Sequence, residues 1–186
     1  MSEQVLKLFK DTGVIMEGHF LLTSGLHSPV YWEKFRILQY PKHIEILCRM
    51  IADRFKKEKV EWVAGPAMGG IILAYEVAKI LGVRGIYAEK EGNDRVFRRG
   101  HPIIAGDSVL IVDDIVTTGG SVIEVIKAVQ KAGGNAIGAG VLVDRSSVGI
   151  DLEIPFFSCL RTTTKTYKPE ECPLCKQGIP LVRLGG

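Results

Sequence analysis

A parallel β-sheet flanked by helices is the fold this sequence predicts, and three observations predict it. Short apolar runs alternate along the chain with helix-period segments, the order that builds strand–helix–strand units with right-handed crossovers. The apolar runs carry no polar alternation, as expected of strands buried on both faces. Three chemically unusual segments, GPAMGG, DDIVTTGGS and DRSS, all fall at predicted strand ends. In such sheets the carboxyl ends of the strands are where ligands bind.

Residues 2–12 predict an amphipathic helix stopped by Gly13. Residues 19–23 and 30–35 read as short strands around the turn Ser24-Gly25-Leu26-His27-Ser28-Pro29. Residues 42–58 predict a helix with Ile44, Leu47, Ile51 and Phe55 on one face. Residues 61–64 form a strand that leads into Gly65-Pro66-Ala67-Met68-Gly69-Gly70, and residues 71–81 a helix ended by Gly82. Residues 84–88 are a strand, and residues 89–106 are polar and basic. Residues 108–112 predict a buried strand and 121–131 a helix stopped by Gly133-Gly134. Residues 135–143 are a strand that ends at Asp144-Arg145, and 154–158 the last core strand.

At 186 residues the chain is one domain, with an N-terminal segment over 1–40, an α/β core over 41–160 and a C-terminal tail over 161–186. With 46% hydrophobic and 24% charged residues it can bury a full core. The net charge of +3 is too mild to make nucleic acid the main partner. No apolar run approaches a membrane span, and the N-terminus has no signal-peptide pattern. Four cysteines, Cys48, Cys159, Cys172 and Cys175, make no disulfide framework at this size, so the reading is a reducing cytoplasm.

VLIVDDIVTTGGS, residues 109–121, carries the strongest chemical signal. A loop of small residues that opens a helix offers backbone N–H groups and the helix dipole to an anion. Thr117, Thr118 and Ser121 add hydroxyls, and Gly119 and Gly120 let the backbone wrap closely. The loop lacks the Gly-Lys-Ser/Thr of a Walker A sequence. Asp113 and Asp114 do not suit phosphate oxygens; they suit hydroxyl donors or Mg²⁺. Vicinal hydroxyls beside a phosphate describe a ribose 5-phosphate. Tyr31 and Trp32 could cover a planar ring, and Arg145 could pair with an acidic or carbonyl edge, or all three could be core and surface residues without that role.

The stretch resembles the phosphoribosyl pyrophosphate (PRPP) signature of the type I phosphoribosyltransferases. The N-terminal GHFLLTSGLHSPVYW resembles the hood of the orotate phosphoribosyltransferases, through Phe20, Leu22, Ser24, Gly25, Ser28, Pro29 and Tyr31. GPA-x-x-G and the Asp144-Arg145 pair extend the likeness over most of residues 1–150. The resemblance implies a type I phosphoribosyltransferase-like α/β fold with an N-terminal hood. It implies transfer of phosphoribose from PRPP to orotate in pyrimidine synthesis, with Mg²⁺ bound through PRPP and not directly by the protein. Asp113 and Asp114 would hold the ribose hydroxyls, and Thr117, Thr118, Gly119, Gly120 and Ser121 the 5-phosphate. Ala67, Met68 and Gly69 would form the pyrophosphate loop, a position that often has an unusual peptide conformation. Ser24, Gly25, Ser28, Tyr31, Trp32, Thr117 and Arg145 would meet orotate. Lys90, Arg95, Arg98 and Arg99 would steady the leaving pyrophosphate from a loop over 89–102 that reaches the neighbouring site of a homodimer.

The chain departs from the family pattern at several points. Thr23 stands where the hood usually has a lysine, and Met68 and Gly69 stand in a loop that often has one. The mobile loop keeps Lys90 and Glu91 but has Glu89 for the usual arginine, and its later lysine and histidine have no clear counterpart. Arginine stabilises a leaving anion but is a poor proton donor, so the loop's electrostatic role carries over and the identity of any catalytic acid does not. A β-hairpin strand with a solvated face is the competing reading of RVFRRG. The Cys172-Pro-Leu-Cys175 pair supplies two metal ligands where a structural zinc needs four, and nothing in the sequence brings Cys48, Cys159 or a histidine to it. The rival functions are transfer to another base such as a purine, a non-catalytic PRPP-sensing regulator, and RNA binding through the basic loop.

Overall fold

The structure, a computed structural model, describes residues 2–98, 100, 103 and 105–184. Helix α1 (Ser2–Asp11) buries Val5 and Phe9 and ends at Gly13, whose φ of +66° lets the chain reverse. Strands β1 (Ile15–Leu21) and β2 (His27–Trp32) form an antiparallel hairpin. Both lie a few residues N-terminal to the sequence-based expectation, because residues 34–39 wind into a short 3₁₀ segment instead of continuing the strand. Helix α2 (Pro41–Phe55) buries Ile44, Leu47, Ile51 and Phe55, the face the spacing predicts.

The main sheet follows: β3 (Trp62–Pro66), β4 (Arg84–Glu91), β5 (Asp94–Val96), β6 (Ser108–Val116), β7 (Asn135–Asp144) and β8 (Phe156–Arg161), in the spatial order β5-β4-β3-β6-β7-β8. Pairings among β3, β4, β6, β7 and β8 are parallel, and only β5 runs antiparallel, against β4. Helix α3 (Gly69–Leu81) joins β3 to β4, and α4 (Gly120–Lys131) joins β6 to β7. One apolar cluster lies under α1, α2 and α3, around Leu47, Ile51, Phe55, Leu73 and Leu110. The other lies under α4, around Val122, Val125, Val129, Ile111 and Val141. Both faces of the sheet are therefore covered, which is why its strands lack polar alternation.

Two departures bear on function. Strand β6 runs through the acidic pair to Val116, and Asp113 sits in register with Val141 of β7. The polar segment after residue 88 starts as an ordered hairpin: Glu89, Lys90 and Glu91 pair with Val96, Arg95 and Asp94. The tail returns to the hood. Strand β9 (Val182–Arg183) adds in parallel to β1, giving a second sheet of order β2-β1-β9. Among the described residues no helix is long and apolar enough to cross a membrane.

Candidate active site

The site forms where β3 and β6 end side by side between their helices. At the end of β3 the peptide between Ala67 and Met68 is cis, at the position where the resemblance implies an unusual peptide. A Cβ added to Gly69 would collide with Asp114 Oδ2, so the loop's backbone presses directly on the carboxylate, and only glycine permits that approach. Arg95 holds the loop from the other side. Its guanidinium donates to the carbonyls of Ala67 (3.2 Å) and Ala88 (3.3 Å) and to Glu124 of α4 (3.1 Å).

Asp113 and Asp114 are both buried. Asp113 accepts from the Asp114 N–H at 2.8 Å and from the Ser121 hydroxyl at 2.5 Å. Burial, reinforced by the charge of Asp114, pushes the Asp113 carboxyl up to about 6 despite those two donors. Asp114 Oδ1 accepts from the Ile115 N–H at 2.6 Å. Lys34 lies 3.1 Å from each Asp114 oxygen and donates to Oδ1, while Oδ2 is buried without a hydrogen-bond partner. The pair therefore keeps unused acceptor capacity, aimed at a small cavity of about 140 Å³. Ala67, Met68, Gly69, Arg95 and Ser121 line that cavity with the two aspartates.

Beyond β6, Gly119 (φ +80°) caps α4 with no side-chain hydrogen bond to its first N–H groups. Ile150 sits where a Cβ of Gly119 would project, so the turn requires glycine for space as well as for φ. Thr117, Thr118 and Gly120 are exposed beside this open helix start. The result is an anion cradle with hydroxyl acceptors on its inner side.

A larger cavity of about 470 Å³ lies between the hood and the ends of β6 and β7. Ser24, Tyr31, Trp32, Thr117 and Arg145 line it, together with Leu184 from the tail. The Arg145 guanidinium stands 5.7 Å from the Trp32 ring centroid, and its Nε is buried without a partner. Burial lowers its pKa from the usual guanidinium value. A half-buried arginine with an unspent donor beside an aromatic ring suits a flat anionic or carbonyl-rich ligand. Trp32 serves the core as well, packing edge-on to Phe9 at 5.8 Å.

Not every candidate from the sequence converges here. Ser28 is fully buried, and its hydroxyl is spent on Val30, donating to the carbonyl at 2.6 Å and accepting from the N–H at 3.2 Å. It shapes the hood and does not line the cavity. Gly25 (φ +81°) turns the hairpin tip and is exposed. Lys90 lies 3.9 Å from Glu124 of α4, on the same face as its cross-strand partner Arg95, and Arg98 pairs with Glu91 at 2.7 Å, so both are spent on carboxylates outside the smaller cavity. Arg99 lies outside the described residues. Lys34 and Phe35, which line the smaller cavity, had no sequence signal: Lys34 is 80 positions from the carboxylate it faces.

The phosphoribosyl transferase domain model matches residues 36–174, three quarters of the chain and both cavities' sheet-end residues. Over 184 residues the chain is 53% identical to the orotate phosphoribosyltransferase of Caldanaerobacter subterraneus subsp. tengcongensis, covering 99% of this chain and 97% of that one. The chain belongs to the orotate phosphoribosyltransferase family. Another relative of the same name, from Thermotoga maritima, is 43% identical over 181 residues, 97% of each chain. Among solved structures, the orotate phosphoribosyltransferase of Aeropyrum pernix superposes with a TM-score of 0.64 at 26% identity, covering 96% of this chain and 91% of that one. The fold is thus that of this phosphoribosyltransferase family, as the sequence implied. The near-full coverage by orotate phosphoribosyltransferases takes in the hood and tail, the parts that line the larger cavity.

Proposed function

We infer that this chain transfers the 5-phosphoribosyl group of PRPP to orotate, yielding orotidine 5′-phosphate and pyrophosphate in pyrimidine (UMP) synthesis. One observation carries the reading: a buried acidic pair with spare acceptors leads directly into an uncapped helix start, next to a cavity that holds an arginine with an unspent donor. The 5-phosphate takes the N–H groups and hydroxyls of Thr117–Ser121. Asp113 and Asp114 accept from the ribose hydroxyls, with Lys34 displaced from Asp114 or retained beside it. Pyrophosphate lies along Ala67, Met68 and Gly69. Orotate enters the larger cavity, its ring against Tyr31 and Trp32 and its acidic edge toward Arg145, with Ser24 and Thr117 at the rim.

As the C1–O bond stretches, positive charge grows on the ribose and negative charge on pyrophosphate. The nearby carboxylates favour the first. Arginines of the hairpin and the loop after it favour the second. Mg²⁺ fits this site as a companion of PRPP: three of the four Asp113 and Asp114 oxygens already accept hydrogen bonds, and the spare Asp114 Oδ2 lies against Lys34, so the pair offers no vacant chelating set of its own. When bound it would neutralise charge on the pyrophosphate, while Asp113 and Asp114 keep their role toward the ribose hydroxyls. A homodimer is supported by the exposed apolar stripe of Met68, Ile72 and Tyr75 on α3, next to the pyrophosphate loop. In such a dimer, the exposed Lys90 and Arg98 would exchange their present partners, Glu124 and Glu91, for a neighbour's pyrophosphate. A reducing cytoplasm agrees with four unpaired cysteines.

Pyrophosphate release from PRPP and Mg²⁺ tests the reading, with orotate run beside hypoxanthine, adenine and uracil. Turnover with orotate alone is the expected result. Turnover with another base would keep the ribose phosphate site and overturn the assignment of the larger cavity. Tight PRPP binding with no turnover on any base would favour a regulator.

A further inference from the structure

We propose that His19, His27, Cys172 and Cys175 form a structural Zn²⁺ site that fastens the C-terminal tail to the hood. His19 lies on β1 and His27 opens β2, while the cysteines flank the start of the short helix α5 (Pro173–Lys176). These positions are up to 156 residues apart in sequence, yet one ligand atom from each lies within 4.8 Å of every other. His19 Nε2 is 3.0 Å from His27 Nδ1, 3.5 Å from Cys172 Sγ and 3.7 Å from Cys175 Sγ. Cys175 Sγ is 3.3 Å from His27 Nδ1. A tetrahedral zinc with Zn–N of about 2.0 Å and Zn–S of about 2.3 Å separates its ligand atoms by roughly 3.3–3.8 Å. Four of the six separations, at 3.0–3.7 Å, are close to those values, and all six fall within 4.8 Å, so small side-chain adjustments close the cluster on an ion.

Hydrogen bonding alone does not account for it. His19 Nδ1 lies 2.8 Å from the Ile179 carbonyl oxygen, which can only accept. Nδ1 therefore carries the proton and Nε2 turns a lone pair into the cluster. That one lone pair faces a nitrogen and two sulfurs. A hydrogen bond would use one of the three, whereas a cation uses all four donors at once. A second ring nitrogen tied to a backbone carbonyl is the usual way a metal-binding histidine is oriented. The tail supplies that carbonyl itself: Gly178 (φ +69°) turns the chain after α5 and delivers Ile179 to His19.

The fold also has a use for the ion. From residue 161 to 184, Cys172 is the one buried residue. The tail is otherwise joined to the hood by the His27–Tyr167 bridge and the two-residue strand β9. So little burial cannot hold a segment of this length, and small elements in that position are held by a metal or a disulfide. Leu184, just beyond β9, lines the larger cavity, so the same staple sets one of its walls. Two thiolates and two neutral imidazoles cancel the charge of a divalent ion, and that donor set selects zinc over Mg²⁺. Four protein ligands leave no open position, which makes the role structural. Cys48 and Cys159 are not candidates: both are buried in the core, where the Cys159 thiol donates to the Leu47 carbonyl.

The test is the metal content of the full chain, produced without a histidine tag and purified under reducing conditions without chelator. We expect about one zinc per chain. Release of that zinc by an organomercurial is expected to lower the melting temperature. Cys175→Ser, at an exposed position, is expected to weaken zinc binding by more than about 100-fold. Cobalt reconstitution of the unmutated chain reads the ligand set independently of any variant's folding. Intense tetrahedral d–d bands with thiolate-to-cobalt charge transfer are expected. A folded, reduced chain that takes up neither zinc nor cobalt overturns the proposal. So does loss of two free thiols without metal, which would make the pair a disulfide. Zinc bound with no effect on melting overturns the stapling role.

Discussion

At the residue scale, Asp113 combines two demands that oppose each other. Its carboxyl is buried, and its pKa is pushed up to about 6 from an ordinary 3.8. Between those two values the native state holds a proton that the unfolded chain has lost. Its contribution to stability therefore declines as pH rises through that window, and above about 6 the ionised group is a constant cost. Asp113→Asn removes the titration. The difference in melting temperature between variant and wild type should move in the variant's favour from pH 4 to pH 7, read by calorimetry at matched ionic strength. A flat difference would refute the raised pKa. Activity should move the other way, with the KM for PRPP rising at neutral pH because the amide replaces one hydroxyl acceptor with a donor. Arg145 makes a second prediction. Arg145→Ala should raise the KM for orotate roughly 10- to 100-fold, the worth of a charged hydrogen bond, and leave the KM for PRPP nearly unchanged. Equal changes in both constants would place Arg145 in the fold and not in the base cavity.

At the element scale, the hairpin of β4 and β5 decides what the basic segment does. Arg95 has a side chain only 11% exposed, and its fork spans the loop over residues 67–69, β4 and α4. A lysine can replace its charge but not that fork. Arg95→Ala should cost about 2–3 kcal/mol of stability, and Arg95→Lys should recover little of it, measured by denaturant unfolding. Turnover at limiting PRPP should fall with it, because the Ala67 carbonyl loses its donor. Full recovery by lysine would show that charge alone matters. This element also shows how far pattern reading reaches. RVFRRG is legible as basic and as a possible strand, but whether its arginines face an active site, a helix or solvent depends on Glu124 and Glu91. Glu124 lies on α4, 29 positions from Arg95.

At the scale of the whole molecule, α3 leaves an apolar stripe uncovered. Met68 is 74% exposed and Tyr75 70%, with Ile72 between them. Beside them an apolar groove of about 440 Å³ runs along Ala74, Ala78 and Ile86. Tyr75→Glu should convert a dimer to a monomer by light scattering and reduce turnover, although Tyr75 lines neither active-site cavity. A wild-type monomer at micromolar concentration would remove the dimer from the mechanism.

By itself the sequence determined the sheet, its helices and the small-residue cradle that opens α4 beside the acidic pair. All three rest on local chemistry: apolar runs, a 3.6-residue period, glycines where a turn needs them, and carboxylates beside hydroxyls. Asp113, Asp114 and Thr117–Ser121 are contiguous, so their meeting requires no tertiary information. The tertiary structure alone decided which distant groups meet that cradle. It set Lys34 against Asp114, spent Ser28 inside the hood, folded Arg95 onto α4 and brought two histidines to two cysteines. Those contacts depend on how the hood and tail close over the sheet ends, and a long-range closure of that kind leaves no period or spacing in the chain to read.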